Sequence, residues 1–320
     1  MDKLSRLLGV LACAAVVATA GCAGNSSLSP ATGSAIPAQS SMAINHGGSQ
    51  WITENGVTYL TPHFMPTRFA PHQAVQPNIL LNYGNGPVLH KPKMYLIFWG
   101  YKAAGDPDAV KPLMVSYAKA IGGSGYNNIY TQYYGPGTVY IKNPNGQFGG
   151  VWNDNTNPIP THPTDAQVAA EALAGIAHFT LKHPYNINGS YVVFTAHNHS
   201  SSGFGTQWCA YHSATNYNGK LVSYTNMPYT PDAGQSCGAN IVSPPGDESG
   251  VDEGMTIVEG HEYGESVTDP NPPSGWYNGQ YGEIGDICAW QNIQNDPFKT
   301  FSYTAQPMFS NASQSCVHSY

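Results

Sequence analysis

Hydrophobic positions along the chain gather in short runs separated by Gly-, Pro-, Ser- and Asn-rich segments. The run "MYLIFWGY" (94–101) is apolar almost throughout, the pattern of a buried strand. "GSYVVFTA" (189–196) predicts a second buried strand and "GTVYIK" (137–142) a shorter one. Helical spacing predicts helices over 107–122, ended by Gly122 and Gly123, and over 164–183, where Thr164 caps a stretch with Ala, Leu and Ile on one face. A third helix is expected over 251–269: Ser249, Asp252 and Glu253 place capping and negative charge at its start, and Pro270 stops it. "HNHSSSGFGTQW" (197–208) reads as a polar loop, and the segment after 270 as a Pro/Gly/Tyr-rich tail with little regular structure. Strands alternating with helices predict an α/β fold, a mixed sheet with packed helices and a loop-rich C-terminal part.

The N-terminus has the pattern of an export signal, predicted over residues 1–21: Lys3 and Arg6 precede the apolar "LLGVLACAAVVATAG". Two processing sites compete. Ala18-Thr19-Ala20 suits ordinary secretion, whereas "TAGC" suits a bacterial lipoprotein with Cys22 lipidated. Residues 22–50 read as a flexible tether, and residues 51–76 as a lead-in strand, an N-terminal strap or a propeptide-like segment. A single domain is expected over 77–320. Cys209, Cys237, Cys288 and Cys316 form an even set in the exported part, with Cys209–Cys237 and Cys288–Cys316 the expected pairing among three connectivities. The predicted location is the bacterial envelope, lipid-anchored (periplasmic or outer membrane), or the exterior. A formal net charge of -7 argues against nucleic acid as a partner and leaves membrane contact to the lipid anchor.

The third helix carries the chemistry. In "VEGHEYGESVTDP" (258–270), His261 and Glu262 begin like the His-Glu-x-x-His signature of zinc peptidases, but Glu265 stands where the second histidine belongs. Residues four apart share a helix face, so His261 and Glu265 can hold one cation, with Glu262 about 100° around as the base that takes a proton from metal-bound water. A third ligand is sought in "YGEIGDICAW" (281–290), where Glu283 follows Glu265 by eighteen residues and Asp286 comes three later. Glu283 is first assigned as ligand and Asp286 as the partner orienting His261; the reverse assignment also fits. Charge supports a cation. Between Lys220 and Lys299 there is no Lys or Arg, against twelve Asp and Glu, so a divalent ion is the natural compensation. Zinc is expected, with manganese or calcium as alternatives for so oxygen-rich a set. The bland reading is a solvated acidic helix. His197 and His199 read as exposed loop histidines, His212 in "WCAYH" as structural or lining the cleft, and Tyr263, Tyr277 and Tyr281 as possible oxyanion donors.

"ILLNYGNGPVLHKPKMYLIFWG" (79–100) resembles the opening of the phosphate-induced protein 1 / Exordium family, and the resemblance continues through "YVVFTA", "WCAYH", "SGVDEGMTIVEG" and "SVTDP", covering about residues 79–270. It implies an extracellular, cell-wall-associated protein linked to growth and carries no catalytic residues over. Where the plant chains have an apolar stretch, this chain has a zincin-like His261-Glu262-Tyr263-Gly264-Glu265. Two functions are therefore expected. One is an exported zinc-dependent metallopeptidase-like hydrolase acting on a peptide or protein substrate. The other is a non-catalytic Exordium-like cell-surface protein with a structural cation site.

Overall fold

A computed structural model describes residues 49–71 and 78–320. The export signal, Cys22 and nearly all of the tether lie outside the described residues. Eight strands form one mixed sheet: β1 (Trp51–Glu54), β2 (Val57–Leu60), β3 (His63–Pro66), β4 (Lys93–Trp99), β5 (Phe148–Asp154), β6 (Gly189–Thr195), β7 (Trp208–Tyr217) and β8 (Lys220–Met227). Their order is β1-β2-β7-β8-β6-β4-β5, with β3 also paired to β7. Pairs β5–β4, β4–β6 and β6–β8 are parallel, and the pairings of β7 are antiparallel.

Alternation explains the layers. Met94, Leu96 and Phe98 point into one core and Ile97 and Trp99 into the other, because successive strand side chains face opposite sides. Three helices cover the faces: α1 (Val110–Ala120), α2 (Asp165–Thr180) and α3 (Glu253–Thr268). Val168, Ala169, Ala172 and Ile176 of α2 pack with Ile97, Val193 and Tyr224. Met114 and Tyr117 of α1 pack on the opposite face with Met255, Ile257 and Val258 of α3. Thr164 caps α2 through a reciprocal box with Gln167, as its sequence predicts.

Several expectations change. "GTVYIK" supplies only a two-residue strand outside the main sheet, paired to Tyr134–Gly135, and the sheet strand in this part of the chain is β5. β7 and β8 follow the polar loop without an amphipathic signal, because β7 is buried on both faces over most of its length. The sheet also begins before residue 77: residues 51–66 supply β1, β2 and β3. The tail after 270 holds two hairpins, Gln294–Phe298 with Phe301–Ala305 and Met308–Ser310 with Ser315–Val317. Disulfides join Cys209 to Cys237 and Cys288 to Cys316. Among the described residues no helix is long and apolar enough to cross a membrane.

Candidate metal centre

Helix α3 is buried along its whole length, unusual for a segment with so many polar residues. Its apolar side chains Met255, Ile257, Val258 and Val267 are fully buried, each stabilising the fold by roughly 1.5–3 kcal/mol. On another face, Gly264 lets the tyrosine layer close in: a Cβ there would lie 2.9 Å from Tyr130 Oη. The N-terminus departs from expectation. Ser249 and Asp252 hydrogen-bond to each other, and neither side chain caps the helix. Glu253 instead accepts the backbone N–H groups of Ile241 and Val242.

The remaining face of α3 presents His261, Glu262 and Glu265. The turn Asp286–Cys288, pinned by the Cys288–Cys316 disulfide, brings Asp286 and the preceding Glu283 against them. Strands β3 and β7 complete the cluster. His63 and His212 are directly opposite partners in their antiparallel register, so both side chains leave the sheet on the same face, with ring centroids 5.5 Å apart. Sequence reasoning left His63 unnamed and His212 undecided.

The distances are those of ligands around a cation. His261 Nε2 lies 3.1 Å from Glu265 Oε1 and 3.7 Å from Asp286 Oδ1. His212 Nδ1 lies 3.3 Å from both Glu262 Oε2 and Glu265 Oε2, and its Nε2 lies 3.5 Å from Glu283 Oε2. His63 Nε2 lies 3.3 Å from Glu283 Oε2 and 2.8 Å from Asp286 Oδ2. Direct N–H···O bonds fall at roughly 2.7–3.2 Å. Neighbouring ligands on a tetrahedral ion with bonds near 2.05 Å are separated by about 3.3 Å. Most of the observed separations match the second spacing. Three trios can each hold an ion: His63–Glu265–Glu283, His212–Glu262–Glu265 and His261–Glu265–Asp286. Thus all four expected ligands converge with Glu262. Asp286, rather than Glu283, shares a trio with His261, while Glu283 joins His63.

Hydrogen bonding leaves this cluster unsatisfied. Among the described residues, both nitrogens of His212, both oxygens of Glu262 and Glu283, Glu265 Oε2, His261 Nε2 and Asp286 Oδ1 have no hydrogen-bond partner. These residues are almost completely buried; His63, at 14% side-chain exposure, is the most exposed member. Unpaired buried groups of this kind cost about 1–3 kcal/mol each, more when charged, and a cation held among them could offset that cost. Electrostatics agree. Burial and the charges of Glu265 and Glu259 hold the Glu262 carboxyl well above the usual carboxylate range, and burial with Asp269 and Glu265 does the same to Glu283. Glu265 sits well below that range: burial opposes its ionisation, but His261 and His212 outweigh it. For His63, burial is outweighed by Asp286, and its pKa is pushed up to about 9.

Gln306 Nε2 donates to Gly285 O at 2.9 Å and faces His261 Nδ1 at 3.1 Å. The Trp290 backbone N–H donates to Gln306 Oε1 at 3.4 Å, so the amide is held in this orientation beside the ring. The other singled-out residues lie outside the trios. His197 pairs with Asp232 at 2.5 Å, and Tyr263 donates to Gln147 at 2.7 Å.

Over 243 residues the chain is 27% identical to Protein EXORDIUM-like 5 of Arabidopsis thaliana, a match covering 65% of this chain and 63% of that relative. An Exordium-family relationship fits both this similarity and the motifs quoted above. No family model matches the chain, and no solved structure matches it.

Proposed function

We propose that this chain is an exported, metal-dependent hydrolase that cleaves peptide bonds with activated water. The observation that carries the reading is the convergence of three histidines and four carboxylates, among which His212, His261, Glu262, Glu265, Glu283 and Asp286 each bring at least one buried atom without a hydrogen-bond partner among the described residues. An imidazole in the ligand set favours a transition ion such as zinc over calcium, which prefers oxygen throughout, while the carboxylates also suit manganese. A bound divalent ion supplies Lewis acidity and lowers the pKa of its water. His261, Glu265 and Asp286 are the residues to hold it, with Glu283 at the adjoining edge. Glu262 is the proton acceptor. Its buried carboxylate is a stronger base than an exposed one, and it can return the proton to a leaving amine. The disulfides fit an extracellular or envelope location, and lipid anchoring at Cys22 would hold the domain at the membrane.

A second reading rests on burial. Glu262, Glu265, His212, His261 and Glu283 are all 0% exposed, which suits a structural cation in a non-catalytic Exordium-like surface protein. One experiment separates the two. Purified protein is assayed for metal content and for cleavage of a fluorogenic casein. The hydrolase reading expects cleavage by the wild type, and a Glu262→Gln variant that still holds metal but has lost cleavage. Metal-loaded wild type without cleavage supports the structural reading, and metal-free folded protein refutes both.

A further inference from the structure

Three histidines face the cluster, and each belongs to a different trio, so no single ion position serves all three. Glu265 is common to every trio, and its two oxygens meet different histidines, Oε1 also accepting the Asp286 N–H at 3.1 Å. Oε1 lies 3.1 Å from His261 Nε2, beside Asp286 Oδ1; Oε2 lies 3.3 Å from His212 Nδ1, beside Glu262 Oε2. We propose that the centre is dinuclear, with Glu265 bridging two divalent cations, one bound by His261 and Asp286 and the other by His212 and Glu262. This rests on the reading of the cluster as a metal site and extends it from one ion to two.

Three observations support the second ion. The first is satisfaction. A cation on the Oε1 side alone leaves His212 Nδ1, Glu262 Oε2 and Glu265 Oε2 buried without a hydrogen-bond partner. A second cation engages all three at once. The second is charge. Glu262, Glu265, Glu283 and Asp286 bring four carboxyl groups into a core whose chain segment has no Lys or Arg between Lys220 and Lys299. Two divalent ions can balance all four carboxylates in their ionised form, whereas one balances two of them. The third is orientation. His212 turns Nδ1 to Glu262 and Glu265 while its Nε2 faces Glu283 Oε2 at 3.5 Å, so a carboxylate stands behind a ligand imidazole. Asp286 is arranged in the same way. Its Oδ1 faces His261 while its Oδ2 takes His63 at 2.8 Å and the Glu283 N–H at 3.0 Å.

A carboxylate bridge suits ions roughly 3.5–4 Å apart, the spacing at which two metals clamp one reacting oxygen. Glu262 binds through Oε2 and keeps Oε1, which also has no hydrogen-bond partner among the described residues, for the proton.

The test is the metal stoichiometry of the full exported chain. After chelation, the protein is dialysed against zinc or manganese and analysed by plasma mass spectrometry, and the manganese form by electron paramagnetic resonance. The proposal expects two equivalents per chain, an exchange-coupled manganese spectrum, and a fall to one equivalent in His212→Ala. Wild type saturating at one equivalent overturns it while leaving the single-metal reading intact, and no bound metal ends both. Two equivalents without coupling also overturn it, because Glu265 then bridges nothing. The wild-type measurements decide the question even if His212→Ala does not fold.

Discussion

Removing the metal should destabilise the domain in a way that depends on pH. Two like charges about 4 Å apart repel by about 4 kcal/mol at an effective dielectric constant near 20. Glu265 has ligand atoms within 4.8 Å of Glu262, Glu283 and Asp286, with no lysine or arginine in the segment from 221 to 298. In chelated protein they cannot all ionise. Protons settle first on Glu262 and Glu283, the two that burial and neighbouring charges hold well above the carboxylate range. Metal must displace them, so loading near pH 7 should release about two protons from these carboxylates, and affinity should fall as pH falls. At free metal 1,000-fold above Kd, the ion stabilises the fold by about 4 kcal/mol. With about 2–4 °C of Tm per kcal/mol for a domain near this size, chelation should lower Tm by about 8–16 °C. Differential scanning calorimetry of chelated and reloaded protein measures the shift, and isothermal titration in two buffers of different ionisation enthalpy counts the protons. Equal melting temperatures together with no proton release would refute the charge argument.

Gly285→Ala should impair metal binding more than folding. Its added Cβ would lie 2.7 Å from His261 Nδ1 and 2.9 Å from Glu265 Oε1, and relief of the clash should cost about 1–3 kcal/mol; zinc content at unchanged far-ultraviolet circular dichroism checks it. Replacing Cys209 and Cys237 together by serine opens a link between residues 28 apart and should cost about 3.5 kcal/mol, read as a lower urea midpoint, with weaker metal binding because Cys209 precedes His212 on β7. Glu171 in α2 is pushed up to about 8 by burial and by Asp154, which keeps its charge by accepting bonds from Thr156 and Asn157. A carboxyl with a raised folded pKa contributes fully below its unfolded value near 4.5, and the contribution is lost as pH rises through 8. Glu171→Gln should therefore gain on the wild type by on the order of 3 kcal/mol between pH 5 and pH 9 in urea denaturation; parallel pH profiles for the two proteins would count against it.

Local sequence was enough for the elements whose signals are local. The apolar runs at 94–101 and 189–196, the capped helix after Thr164 and the helix ended by Pro270 all form, because burial pattern, capping and proline geometry act within a few residues. The cysteine pairing was also within reach, and so was part of the candidate cluster: His261, Glu262 and Glu265 come together by helix periodicity alone, in a stretch of twelve acids without a Lys or Arg. β5, β7 and β8 were hidden. β7 is buried on both faces and shows no alternation, and β5 carries glycines where a strand signal would stand.

The ligand set is a tertiary property. His63 and His212 lie 149 positions apart, and nothing near either one marks it as a ligand. Only the register of β3 on β7 sets them opposite each other, and only the packing of α3 on that face brings His261 to them. Sequence thus determined that this segment gathers carboxylates without local bases, because net charge follows from composition. Structure alone decided which of these side chains meet one another, because strand register and helix packing are set by the burial of the whole sheet.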